Sequence, residues 1–73
     1  MMILDATGLK CPLPVLKAKK ALKALQPGER LEIHATDPGA PGDFTAFCAA
    51  TGDTLERSDT DGATFVFVIR KAG

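Results

Sequence analysis

The sequence predicts an α+β protein: a two-layer α/β sandwich of order βαβαββ, with two helices on one face of a mixed four-stranded sheet. Three observations lead there. Apolar residues recur at helical spacing in Val15–Leu25 and again in Phe44–Thr51. Around these segments run short stretches of alternating or continuous apolar residues, which is the pattern of strands. Turn formers at Thr7-Gly8, Pro27-Gly28, Asp37-Pro38 and Asp61-Gly62 separate them. Each helix or strand then has an apolar side to bury, and packing two layers against each other meets that need.

Ile3 to Ala6 reads as the first strand, ended by Thr7-Gly8. Pro12 to Leu25 reads as a helix, with Cys11 at the N-cap and Pro12 at the first helical position, where a missing N–H costs nothing. At about 100° per residue, Val15, Ala18, Ala21, Leu22 and Leu25 share one arc, and Lys17, Lys19, Lys20 and Lys23 fill the opposite one. Gln26-Pro27-Gly28 stops the helix. Leu31, Ile33 and Ala35 alternate with Glu32 and His34, as in a half-buried strand. Asp37 to Gly42 reads as a turn-rich loop. Phe44, Phe47, Cys48 and Thr51 then mark a second helix, with Gly52 just past its end. Thr54 to Ser58 is a third strand. Asp61-Gly62 is a hairpin turn signal ahead of the strand Thr64–Ile69. The order of strands in the sheet does not follow from these patterns.

The chain of 73 residues is expected to form a single domain, residues 1–73. No apolar run approaches the roughly 20 residues needed to span a bilayer. Met1 to Ala6 lacks the basic start and long apolar stretch of a signal peptide, so the cytoplasm is the expected setting, where free thiols stay reduced. A net charge of zero argues against a dedicated nucleic-acid binder. The charge is unevenly placed, however. Through Leu25 there are five lysines against the single acid Asp5; from Gln26 onward there are four basic residues against eight acidic ones. That asymmetry is read either as mutual solvation across the fold or as a field that orients a protein partner.

Lys10-Cys11-Pro12-Leu13-Pro14 is the segment that a purely structural reading explains least well. A buried structural cysteine sits in an apolar run, whereas Cys11 follows a glycine, a leucine and a lysine and precedes two prolines at a helix mouth. The N–H groups of Leu13 and Val15, together with the helix dipole, would favour a thiolate there. Lys10 would add to this if it turned toward the sulfur. An unusually acidic Cys11 is the expectation; the alternative is a capping cysteine whose prolines merely start the helix. No second cysteine lies within a few residues, which excludes a thioredoxin-like dithiol. His34 falls on the outward face of its strand, away from a Cys–His pairing, and two cysteines with one histidine do not make a convincing zinc site. No metal and no cofactor are expected. A single reactive thiol on a small body suits a carrier of covalent cargo.

The run from Asp5 through Pro14, with its Cys-Pro-x-Pro motif opening a helix, resembles the signature of the TusA/SirA family of sulfur-transfer proteins. The likeness continues in Asp37-Pro38, in Asp43-Phe44 and Phe47-Cys48, and in the ending Phe67-Val68-Ile69-Arg70-Lys71. Leu13 stands where some members carry glutamate. The resemblance implies a βαβαββ sandwich similar to the C-terminal domain of a bacterial translation initiation factor. It further implies that Cys11 accepts a persulfide sulfur from a cysteine desulfurase or rhodanese and passes it to an acceptor protein. Destinations known in the family are tRNA thiolation, molybdenum-cofactor assembly and sulfur oxidation.

Other candidates follow from position. Cys48 shares an apolar face with Phe44 and Phe47 and reads as core. Asp37 is expected to bond local backbone N–H groups in a strand-ending turn and, near Cys11, to touch a partner. Leu13 and Leu16, on the lysine side of the first helix, either form a docking patch rimmed by Lys17, Lys20 and Lys23 or pack beneath the preceding loop. A monomer with protein partners, and without membrane or direct nucleic-acid contact, is expected. The competing function is a small regulatory or interaction module, with Cys11 structural or redox-sensing and the lysine face binding RNA or a signalling protein. An RNA-binding domain has no stacking aromatics to support it.

Overall fold

The computed structural model describes residues 1–73 and has the predicted architecture, with elements β1 (Met2–Ala6), α1 (Leu13–Lys23), β2 (Arg30–Ala35), α2 (Ala40–Thr51), β3 (Thr54–Asp61) and β4 (Thr64–Arg70). The sheet order is β1-β2-β4-β3. β1 runs parallel to β2, with Met2 beside Leu31 and Ala6 beside Ala35. β4 is antiparallel to both β2 and β3, with Ile33 opposite Phe67 and Asp61 opposite Thr64. The sheet is therefore mixed.

Alternation along the strands decides what is buried. Leu31, Ile33 and Ala35 of β2 and Phe67 and Ile69 of β4 meet Ala18, Leu22 and Leu25 of the first helical segment and Ala40, Phe44 and Cys48 of α2. At the centre, the Phe44 and Phe67 rings lie 4.7 Å apart, tilted by 36°. The opposite sheet face carries no helix; there His34 Nε2 lies 2.7 Å from Glu32 Oε2. His34 thus occupies the outward face that the alternation in β2 indicates.

The main boundary differences from expectation fall in three elements. The first helix begins at Leu13, with Pro12 as N-cap, and ends at Lys23. The Leu13 N–H donates to the Lys10 carbonyl at 2.8 Å, so residues 10–13 close a turn that keeps Cys11 outside the helix. The second helix starts earlier than expected, at Ala40, with Pro41 in its first turn. Pro41 and Gly42 read as breakers in sequence, but a first-turn proline loses no helical bond. The Asp43 N–H then bonds the Gly39 carbonyl at 3.0 Å. Finally, β3 runs on to Asp61, with a register shift between Leu55 and Arg57. As an edge strand carrying mostly exposed polar side chains, it lacks the apolar alternation that announces a strand.

One turn signal holds as expected and a second shifts by one residue. Gly52 follows α2 with φ of 83° and donates its N–H to the Cys48 carbonyl. Gly62, with φ of 62°, opens the two-residue loop between β3 and β4, so the hairpin turn falls on Gly62-Ala63, one residue later than Asp61-Gly62.

The residues after β4 return to α1. Lys71 Nζ donates to the Leu25 carbonyl at 2.8 Å. Its N–H bonds the Glu29 carbonyl and its carbonyl accepts from Gly28 N–H, each at 2.9 Å. A cation at a helix C-terminus is favourable, and a hydrogen bond to a charged group contributes about 1.5–3 kcal/mol. Lys71→Met keeps the aliphatic stem and removes the charge. It is expected to lower stability by about 1–2 kcal/mol, read as a lower urea midpoint at unchanged slope. An unchanged midpoint would show that water replaces the ammonium without loss.

Candidate functional site

The stretch before Cys11 is a built turn. Asp5 Oδ1 accepts from the Thr7 hydroxyl at 2.6 Å and from the Thr7 N–H at 3.0 Å. Those bonds hold the Asp5 carboxyl below its ordinary range. Gly8 takes φ of 78°. Its N–H reaches the Thr36 hydroxyl at 2.9 Å and so ties the β1–α1 loop to the end of β2. Leu9 packs against the core, and Lys10 and Cys11 emerge into solvent. The Cys11–Pro12 peptide bond is cis. The two prolines differ in use: Pro12 is exposed, whereas Pro14 is among the fully buried side chains. Pro14 is thus a peg that fixes the mouth of α1 to the core.

Cys11 is an exposed free thiol. It lines an open hollow of about 340 Å³ between the helices, together with Pro12, Val15, Asp43, Ala46 and Phe47. The expected acidity is reversed here: the thiol pKa is pushed up from the ordinary cysteine value. The first cause is the Asp43 carboxylate across the shared hollow, which favours the protonated S–H as a donor, followed by partial desolvation and the negative charges of Asp43 and Asp37. The helix terminus does not favour the thiolate, because the helix starts two residues beyond Cys11 and the Leu13 N–H is already bonded to the Lys10 carbonyl. Lys10 is exposed, and no cation is among the groups acting on the sulfur.

Because β1 and β2 are parallel, their C-terminal ends and following loops lie at one end of the sheet. This brings Asp37 toward Cys11. Its Oδ2 accepts the Gly39 N–H at 3.0 Å, the local turn bond expected of it. The position also explains its electrostatic effect on the thiol.

Leu13 and Leu16 are 48% and 53% exposed, which rules out packing beneath the loop and leaves two apolar side chains in solvent beside the thiol. Lys17, Lys20 and Lys23 are exposed along the same helix. Cys48 is buried among the α2 core residues, and that burial pushes its thiol up. No three His, Cys, Asp or Glu side chains converge to hold a metal ion.

Asp43 is the site residue that the sequence did not single out for chemistry. The signal was present in spacing: Asp43, Ala46 and Phe47 stand at i, i+3 and i+4, one helical face. That pattern becomes visible only once α2 is known to begin at Ala40.

Fold and site together define a small thiol-presenting protein, with one exposed cysteine at a helix mouth flanked by an apolar hollow and two carboxylates. A family model described as sulfurtransferase TusA matches residues 2–71. The chain belongs to the TusA sulfurtransferase family, and its general role is that of a sulfur carrier. The sulfur carrier protein TusA of Allochromatium vinosum is 51% identical over 69 residues, covering 94% of this chain and 91% of that one. A Neisseria meningitidis serogroup A protein, provisionally named a sulfur carrier, is 57% identical over 68 residues, covering 92% of this chain and 90% of its own length. The crystal structure of a SirA-like protein from Desulfitobacterium hafniense superposes with a TM-score of 0.84 over the full length of both chains at 24% identity, a likeness of fold. No helix is long and apolar enough to cross a membrane.

Proposed function

We propose that the chain acts as one sulfur-carrier domain, accepting a persulfide sulfur on Cys11 from a donor such as a cysteine desulfurase or rhodanese and relaying it to an acceptor protein. In the loading step the Cys11 thiolate attacks the outer sulfur of the donor persulfide. A sulfur–sulfur bond forms on Cys11, the donor's sulfur–sulfur bond breaks, and the donor cysteine leaves as a thiolate. The same exchange in the other direction delivers the sulfur, with no net oxidation. The cytoplasm, where thiols stay reduced, is the proposed setting.

The exposure of Cys11 beside an apolar hollow, in a chain of this family, carries the reading. A regulatory module with a structural Cys11 gains nothing from these surroundings, since an exposed thiol contributes little packing. RNA binding through stacked bases is disfavoured as well: Phe44 and Phe67 are buried, and Phe47 and Phe65 pack against the same core. The test is incubation with a cysteine desulfurase and cysteine, followed by peptide mapping of the mass gain of one sulfur atom. Gain on Cys11 is expected. Gain on Cys48, or none, overturns the proposal.

The lysine face of α1 is the proposed rim of the docking surface, with Leu13 and Leu16 nearer its centre. Reversing Lys17, Lys20 and Lys23 to glutamate is expected to leave loading from a small-molecule persulfide intact. Transfer from a protein donor should slow, most strongly at low salt, because steering acts on association rate and is screened by ions. Equal rates at low salt would reduce this face to a solvated helix surface.

A further inference from the structure

Cys11 presents a chemical contradiction. Sulfur exchange requires a thiolate, yet the charged groups that act on this thiol are both acids: Asp43 from α2 and Asp37 from the β2–α2 turn. Their positions are tied to the fold. The Asp43 N–H closes the first turn of α2 onto Gly39, and the Asp37 carboxylate holds the Gly39 N–H. A Cβ placed on Gly39 would lie 3.0 Å from Asp37 Oδ2 and 3.7 Å from Asp43 Oδ2, so the two carboxylates flank one glycine. Asp43 also shares the open hollow with Cys11, and its side chain is only partly covered.

Building on the sulfur-carrier reading, we propose that Asp43 is a positioning residue that holds Cys11 as a neutral thiol in the free carrier, and that a partner releases it by placing a lysine or arginine against the Asp37–Asp43 pair. The neutral thiol is a poor nucleophile toward stray electrophiles and oxidants. A cation docked on Asp43 offsets the charge of the carboxylate and competes for its oxygens. The thiol proton then leaves to water and the thiolate attacks the outer sulfur of the donor persulfide, with the bond changes given above. The docking surface consequently has two parts: an acidic centre beside the sulfur and a lysine rim along α1. A fitting partner carries the reverse, a cation at its own reactive cysteine and acids around it.

Charge sets the size of the effect. Opposite charges about 4 Å apart in water interact strongly enough for a roughly fivefold change in an equilibrium or rate, and more where solvent is partly excluded. The experiment follows Cys11 alone, by peptide mass, during alkylation across pH. In the unmutated protein the midpoint should lie above that of Cys11 in the same chain unfolded in urea. Asp43→Asn should lower the native midpoint and speed alkylation at neutral pH by about fivefold, whereas Asp43→Glu should restore part of the wild-type behaviour. Methanethiosulfonates with a cationic or an anionic tail supply the second readout. Wild type should favour the cationic reagent, and Asp43→Asn should lose about fivefold of that preference. A native midpoint at or below the unfolded one overturns the proposal without any variant, and so does an unchanged reagent preference in a folded Asp43→Asn protein. None of these measurements involves sulfur transfer, so their failure leaves the carrier reading standing. A failure of sulfur to load on Cys11 removes the carrier reading without altering them.

Discussion

Cys11→Ser is expected to take up no sulfur from a desulfurase and to reduce transfer to any acceptor to background, while Cys48→Ala should still load. Serine preserves the size and exposure of the side chain but cannot form a persulfide, so the loss isolates the chemistry of the sulfur atom. Cys48→Ala tests the opposite role. Cys48 is 6% exposed within the core cluster, so removal of its sulfur should lower the melting temperature and leave loading in place. Peptide mapping and a thermal melt on both variants check the pair. A Cys11→Ser protein that still carries sulfur would move the reactive position to Cys48 and undo the account of the site.

Phe67→Ala is expected to be the most damaging single change to the fold. The Phe67 ring is fully buried on the central strand β4, 4.7 Å from that of Phe44. Truncating a buried phenylalanine costs about 3–5 kcal/mol through lost burial and the cavity left behind. A 73-residue chain, at roughly 0.05–0.15 kcal/mol per residue, has a total stability of about 4–11 kcal/mol. One substitution thus removes about a quarter or more of the margin. The melting temperature should drop by more than about 10 °C, with part of the protein unfolded at physiological temperature. A loss below about 1 kcal/mol would mean that the core collapses to fill the space.

The parts of the fold legible in sequence are those whose periodicity is set by burial on one side. α1 has an apolar arc and a lysine arc, and β2 alternates Leu31, Glu32, Ile33, His34 and Ala35, so both announce themselves. β3 lies at the sheet edge with most side chains in solvent, and nothing in its composition demands a strand beyond Ser58. Its full length to Asp61 follows from pairing with β4, which is a tertiary matter. The start of α2 was hidden because Pro41 and Gly42 discourage a helix interior but not a first turn.

The site divides in the same way. The exposure of Cys11 was legible because its cause is local: charged and proline neighbours at the mouth of a helix. Its ionisation was not, because the deciding groups, Asp43 and Asp37, reach it only through the folding of α2 and its preceding turn against α1. The helix dipole and the lysine neighbours, which are local, therefore point to the opposite sign. Leu13 and Leu16 were ambiguous for a related reason, since their arc on α1 is known from sequence but what covers that arc is not.

The sheet order also has a temporal side. β4 lies between β2 and β3, although it is the last strand in the chain. A ribosome making this protein releases β1, α1 and β2 first, and their apolar faces wait for a neighbour that has yet to be synthesised. Pairings between distant parts of a chain carry the larger loop-closure cost and form late. The β3–β4 hairpin can arise locally, but only its docking against β2 completes the sheet on which both helices rest. The surroundings of Cys11 depend on α2, which packs against that hairpin. Nascent chains would accordingly display the thiol before they can surround it with Asp43 and Asp37.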